Sequence, residues 1–431
     1  MSAAIGCLLA LAALQEPASV EPLALARSAA AWLEAVALRG DAGWSWRAAP
    51  AEAGEAVHDL YGGAAGVVLF FLELHHATGE GRYLDVARKG GDGLLGALQG
   101  LFEAGDAGLY TGVAGVACAL EQLCDASGEE RFRAGVDRSL EWLEASAGQA
   151  GEGVEWSGVT DLISGTAGTG AFLLWIAERR GEARWRALAT AAGRRLVERA
   201  QPAAAGGLDW AMAEDEPRRL PNYSHGAAGV ADFLLALHEA TGERTFLEAA
   251  VAGGEHLLAI ADERGLIYHH TPGGEELYYL GWCHGPAGTS LLFERLGRVT
   301  GEERWSQAAR KPLAAVLASG LPQARLPGLW NNVGACCGTS GVGEYLLRAQ
   351  AVRTDPALAL LCDRIVVDLD ARGERVAGGV CWPQAEHRTR PESIQAQSGY
   401  AQGAAGIGLW LLHLDGARCG RPPLVELPPV P

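Results

Sequence analysis

The sequence predicts an all-α fold: an α/α toroid (double α-barrel) of seven inner and seven outer helices. Three observations carry this reading. First, Gly-x-x-Gly recurs along the 431 residues, at "GAAG" (63 to 66), "GVAG" (112 to 115), "GTAG" (165 to 168), "GAAG" (226 to 229), "GPAG" (285 to 288), "GTSG" (338 to 341) and "GAAG" (403 to 406). Regular self-similarity of this kind marks a repeat architecture. Second, an apolar run follows every copy. Third, a polar Gly-Glu punctuation separates one run from the next.

Taken in chain order, "VEPLALARSAAAWLEAVAL" (20 to 38) supplies an outer helix before the first glycine motif. The runs "VVLFFLEL", "VACALEQL", "TGAFLLWIA", "VADFLLAL", "TSLLFERL", "VGEYLLRA" and "IGLWLLHL" are rich in Leu and Ala and lack the alternation of a half-buried strand. They read as buried helices whose first turn is the glycine motif. In "TGEGRYLDVA" (78 to 87), "SGEERFRAGV" (127 to 136), "RGEARWRALA" (180 to 189), "TGERTFLEAA" (241 to 250) and "TGEERWSQAA" (300 to 309), Gly ends one helix. The acidic residue then favours the start of the next. "RTDPALALLC" (353 to 362) is a degenerate copy with Pro near the helix start.

A ring of inner helices inside a ring of outer ones buries each inner helix on both sides, which accounts for their missing polar face. An open superhelix is the alternative, but it leaves the end helices uncapped. The expected organisation is one toroid over residues 20–415 without internal linker. Residues 1–19 form a tail or signal segment and 416–431 a C-terminal tail.

Composition narrows the function. A net charge of -17 argues against a nucleic-acid partner, since phosphate binding needs clustered Lys and Arg. The nine cysteines are odd in number and irregularly spaced, unlike a disulfide framework. The stretch "SAAIGCLLALAAL" (2 to 14) is too short to span a bilayer and has no basic residue before it. A cytoplasmic location is favoured, with export the alternative if residues 1–15 act as a signal peptide.

In a toroid the seven glycine turns gather at one end, and three of them break the pattern. The fourth reads "NYSHGAAG", with His225; the fifth "GWCHGPAG", with Trp282, Cys283 and His284; the sixth "GACCGTSG", with Cys336 and Cys337. Soft ligands converging from neighbouring turns fit zinc, with Cys283, Cys336 and Cys337 as ligands and one position left open. Three thiolates make a weak Lewis acid, suited to activating a substrate thiol rather than water. Adding that thiolate to a carbon–carbon double bond generates an enolate that needs a proton. His225 is the candidate acid or base. Asp161, in "TDLISGTAG", orients it or caps the inner helix. His284 is a second proton donor or a hydrogen-bonder around the metal. An α/α-barrel glycosidase would need two facing carboxylates, and the turns supply little beyond Asp161.

The segments "DLISGTAG", "YSHGAAG", "WCHGPAG" and "CCGTSG" resemble the four signature segments of the lanthionine synthetase C-like family, and the resemblance runs from about residue 20 to 415. It implies a double α-barrel binding one Zn2+ ion. It also implies a cyclase that joins a Cys thiol of a precursor peptide to dehydroalanine or dehydrobutyrine. On this resemblance Cys283, Cys336 and Cys337 are the metal ligands, His225 and Asp161 handle the proton, and Trp282 forms part of the site wall. The more common pattern has Cys-His where this chain has Cys336-Cys337; the three-Cys version resembles relaxed-specificity lanthipeptide synthetases. Some bacterial cyclases have Arg where this chain has Tyr279, a substrate-binding position.

The expected partner is therefore a dehydrated, Cys-containing precursor peptide met by a monomeric enzyme, with dehydration supplied by a separate dehydratase. Two alternatives stay open. One is addition of glutathione or another small thiol, with Arg264, Arg325 and Arg388 as carboxylate-binding candidates. The other is a non-catalytic zinc-bearing peptide-binding module. Trp210, Trp330 and Trp382 are rim contacts or packing.

Overall fold

The computed structural model describes residues 20–323 and 329–428, with backbone alone at 329 and 330. The possible signal segment, Cys7, Arg325 and the side chain of Trp330 lie outside the described residues.

Helices alternate between an outer and an inner layer. Outer α1 (Pro22–Val36) precedes inner α2 (Ala64–Thr78). Then come outer α3 (Gly81–Ala104), inner α4 (Val113–Ser127), outer α5 (Glu130–Ser146) and inner α6 (Thr166–Arg180). Outer α7 (Ala183–Arg199), inner α8 (Ala227–Thr241), outer α9 (Arg244–Ile260) and inner α10 (Pro286–Thr300) continue the pattern. The sixth outer rod is split into α11 (Glu303–Arg310) and α12 (Pro312–Ala318), because Pro312 supplies no N–H to continue the ladder. Inner α13 (Thr339–Val352), outer α14 (Pro356–Arg372) and inner α15 (Ala404–Cys419) complete the chain.

The inner helices pack in a closed circle: α2 on α4, α4 on α6, α6 on α8, α8 on α10, α10 on α13, α13 on α15, and α15 back on α2. Helix α1 covers α15, so the last layer joins both ends of the chain. Phe70, Phe71, Phe172, Phe233 and Trp410 on inner helices are fully buried. Each such side chain contributes roughly 1.5–3 kcal/mol. The open superhelix is thereby excluded.

The glycine motif has a steric cause. Its first glycine is the N-cap of every inner helix, in extended backbone pressed against the preceding turn: a Cβ would sit 1.4 Å from the Leu220 oxygen at Gly226 and 2.2 Å from the Asp106 oxygen at Gly112. Its second glycine faces the carbonyl six residues earlier. A Cβ there would sit 2.0 Å from the Trp282 oxygen at Gly288 and 1.8 Å from the Tyr400 oxygen at Gly406. The backbone approach, not a left-handed φ, requires glycine. The helix-ending glycines are the opposite case: Gly79, Gly128, Gly181, Gly242 and Gly301 have φ between 69 and 73°. The acidic residues that follow make no side-chain cap. Glu80 instead pairs with Arg27 and Arg82, and Glu129 with Arg88 and Arg131.

The turns preceding the inner helices are tied into a belt of backbone hydrogen bonds. Tyr61 N donates to Tyr110 O, Tyr110 N to Ile163 O, and Leu162 N to Ser224 O. Ser224 N donates to Cys283 O, Cys283 N to Cys336 O, Cys336 N to Ala401 O, and Ala401 N back to Tyr61 O. The belt closes on itself and sets the mouth of the barrel. At the other end, residues 421–428 plug the ring: Leu424 and Val425 N–H groups donate to Glu73 Oε2, both at 2.8 Å, and Glu426 exchanges hydrogen bonds with Gln122.

Short strand pairs lie in the connections from outer to inner helices. The pairs 38–40/43–45, 148–150/153–155, 201–202/208–209 and 374–376/379–381 each precede a Trp whose indole N–H caps an outer helix. Trp46, Trp156, Trp210 and Trp382 donate to the carbonyls of Leu33, Leu143, Leu196 and Leu369. This settles Trp210 and Trp382 as packing residues.

Candidate metal centre and its cavity

Because Cys283 and Cys336 are consecutive links of the belt (N···O 3.1 Å), the fifth and sixth turns bring their sulfurs together. The Sγ atoms of Cys283, Cys336 and Cys337 all lie within 4.8 Å of one another. Cys283 and Cys337 are 3.0 Å apart and Cys336 and Cys337 3.7 Å. Cys283 and Cys336 are buried, and Cys337 is half-buried. Hydrogen bonds with Cys283 and Cys336 hold the pKa of the Cys337 thiol well below its ordinary value, while burial pushes Cys283 up.

The donor set fits a thiophilic ion. Tetrahedral zinc with bonds of ~2.3 Å places its sulfurs roughly 3.8 Å apart. The Cys336–Cys337 pair meets that edge, and the Cys283–Cys337 pair needs to open by less than about 1 Å, a small side-chain adjustment.

Above Cys337 lies a cavity of about 310 Å³. Of the residues singled out in the sequence, His225, Tyr279, Cys283, His284, Cys336, Cys337 and Arg388 line it. Asp161 stands behind His225. Its Oδ2 accepts from His225 Nδ1 at 2.5 Å, and its Oδ1 accepts from the N–H groups of Ser164 and Gly165 at 2.9 and 2.8 Å. Asp161 thus touches both the His225 ring and the turn before α6, but it does not cap that helix, whose N-cap is Gly165 without a side-chain acceptor. Because the carboxylate accepts, His225 Nδ1 carries the hydrogen of this bond, and Nε2 is the ring nitrogen that takes no part in it.

His284 is buried and stacks on His269, ring centroids 3.8 Å apart. Burial, then the neighbouring His269 and His225, hold its pKa well below the ordinary value, so it is neutral near pH 7. The ring of Trp282 does not line this cavity. It packs beneath the belt against Tyr110 and Tyr223, at centroid distances of 5.2 and 5.6 Å. Its neighbour Tyr279 does face the cavity, and burial keeps its hydroxyl protonated. Arg264 is committed to Asp262 and stacks on Tyr278, away from the cavity.

Several lining residues escaped the sequence reading: Tyr61, Arg218, His269, Glu386 and Gln402. Burial lowers His269 to about 4. Gln402 was within reach. The residue directly before the first glycine is His225, His284, Cys337 and Gln402 in the last four turns. Following that register to the seventh copy finds it. His269 and Glu386 arrive on loops that carry no repeat.

Fold and site together define a helical double-barrel protein with a cluster of cysteine sulfurs at one mouth. The chain belongs to the lanthionine synthetase C-like protein family, whose description residues 55–418 match. Among solved structures, nisin cyclase is similar in fold at 17% identity, with a TM-score of 0.63, covering 91% of this chain and 93% of that one. An inactive variant of an α-1,6-mannanase of Salegentibacter sp. HEL1_6 matches at 14% identity and a TM-score of 0.49, covering 91% of this chain and 99% of that one. No curated protein matches. Among the described residues, no helix is long and apolar enough to cross a membrane.

Proposed function

We propose that this chain is a zinc-dependent enzyme that adds a cysteine thiol to dehydroalanine or dehydrobutyrine, closing thioether rings in a dehydrated precursor peptide. The observation that carries the reading is the convergence on one cavity of three cysteine sulfurs and a histidine oriented by a buried carboxylate. Zinc held by Cys283, Cys336 and Cys337 would keep the substrate thiol as thiolate at its open position.

The chain's own residues handle the proton. His225 Nε2 takes the proton of the incoming thiol, and Asp161 stabilises the imidazolium. The S–C bond forms at the β-carbon while the π pair moves toward the carbonyl as an enolate. His225 then returns the proton to the α-carbon, so nothing is gained or lost overall. Tyr279, protonated, and Arg388, which faces its hydroxyl, are the donors available to the enolate oxygen. Arg388 thus takes the place left by the missing arginine at position 279.

One observation favours a small acidic thiol such as glutathione as the second substrate class. Among the described residues Arg388 has no carboxylate ion-pair partner, whereas Arg218 is held by Glu216 through two hydrogen bonds of 2.8 Å. The deciding experiment incubates the zinc-loaded protein with a dehydrated Cys-containing peptide. Loss of free thiol at constant mass supports cyclisation. A mass gain that requires added glutathione supports the second class. Neither change, with zinc bound, refutes both and leaves a binding module.

A further inference from the structure

A centre with three protein thiolates poses a selectivity problem. Every ligand sulfur is itself a nucleophile. One that attacked the dehydroamino acid would form its own S–C bond and leave the enzyme alkylated. All three line the cavity, but Cys283 and Cys336 are buried and Cys337 is only half-buried.

Gln402 meets that sulfur. Its Nε2 donates to Cys337 Sγ at 3.5 Å and to the Tyr61 hydroxyl at 3.3 Å. The amide is fixed against flipping, because its Oε1 accepts from Asn332 Nδ2 at 3.0 Å. The Tyr61 hydroxyl donates to Glu386 Oε1 at 3.2 Å, and Gln397 Nε2 donates to the other Glu386 oxygen at 2.8 Å. Gln402 and Asn332 are 1% and 3% exposed, so both amides are themselves shielded from water. Turned the other way, the amide would set its oxygen against a thiolate. The surrounding network therefore selects the orientation that donates.

We propose that Gln402 is a positioning residue of the metal centre: its donated hydrogen bond draws charge from the Cys337 sulfur, so that the substrate's thiolate attacks the alkene rather than the protein's own. This rests on the zinc reading above. Hydrogen bonds to charged acceptors are stronger than neutral ones, and a fraction of about 0.4–0.5 of a thiolate's basicity reaches its nucleophilicity. Losing the donor should speed reaction at Cys337 about three- to tenfold.

The test compares zinc-loaded wild type with Gln402→Met, which keeps volume and drops the donor. Iodoacetamide is the probe: an S–C bond forms and iodide leaves. Cys337 alkylation is followed by peptide mass. The variant should react about three- to tenfold faster, and with cobalt(II) in place of zinc its sulfur-to-metal charge-transfer band should move to lower energy. A metal-loaded, folded variant with unchanged rate and band overturns the proposal while the metal reading stands. Should Gln402→Met fail to fold, Gln402→Leu serves under the same criteria. Equilibrium dialysis of the wild type separates the other failure: a chain that binds neither zinc nor cobalt overturns both.

Discussion

Replacing Asp161 with Asn tests the proton-handling pair through one atom. Asp161 is 1% exposed and accepts three hydrogen bonds, two from backbone N–H groups and one from His225. An Asn oxygen can keep the two backbone donors, so the turn before α6 survives. Exchanging charged for neutral acceptors there costs about 1–3 kcal/mol in total. The Asn NH2 would then face His225 Nδ1, which must become an acceptor. The proton moves to Nε2, and the cavity loses its base. General acid–base help of this kind is worth about 10²–10⁴-fold in rate. The expected outcome is therefore a folded, zinc-loaded protein, melting slightly lower, whose thiol consumption with a dehydrated peptide falls by that factor. His225→Asn should fall as far, and the double variant little further, because the two act as one unit. If Asp161→Asn turns over at the wild-type rate with metal bound, the tautomer argument is wrong and Asp161 only braces the turn before α6.

The other predictions concern metal, backbone and pH. Cys337→Ala should lose tight zinc and activity yet keep its helical circular dichroism, because the belt of backbone bonds holds the turn; an unfolded variant would make the ion structural. Gly406→Ala forces a Cβ to 1.8 Å from the Tyr400 oxygen and should cost at least about 3 kcal/mol in chemical denaturation. Gly79→Ala, in open space at φ 69°, should cost only about 1 kcal/mol, and equal losses would refute the steric account. Burial raises Asp59 to about 6, so this carboxyl contributes stability that is full below its unfolded value near 4 and lost as pH rises through 6. Melting curves of Asp59→Asn should lack that decline, and parallel curves for variant and wild type would contradict it.

The architecture was legible because both classes of glycine obey simple rules. The inner-helix pairs are forced by backbone contact, and Gly79 and its counterparts by left-handed caps. The three sulfurs and the His225–Asp161 pair could be read because each repeat displays the same register at the same end of the barrel. What stayed hidden depends on crossings between segments distant in sequence. The Glu386–Tyr61 bond joins residues 325 apart, and His269 meets His284 only because the connection after α9 folds back over the mouth. Trp282 shows the limit of proximity in sequence. It adjoins Cys283, but the belt turns it inward. The hairpins escaped because pairs of two or three residues carry too little alternation to separate from loop.

The seventh layer, in which α1 from one end of the chain covers α15 from the other, has a consequence for biosynthesis. While the polypeptide is still emerging, α1 has no inner helix to lie on, and the belt is an arc lacking its last link. Gln402 reaches Cys337, and Ala401 reaches Tyr61, only after the final repeat has been made. The nascent protein can thus bring its fifth and sixth turns together before the seventh is made, yet the finished cavity is a product of closure and arrives last.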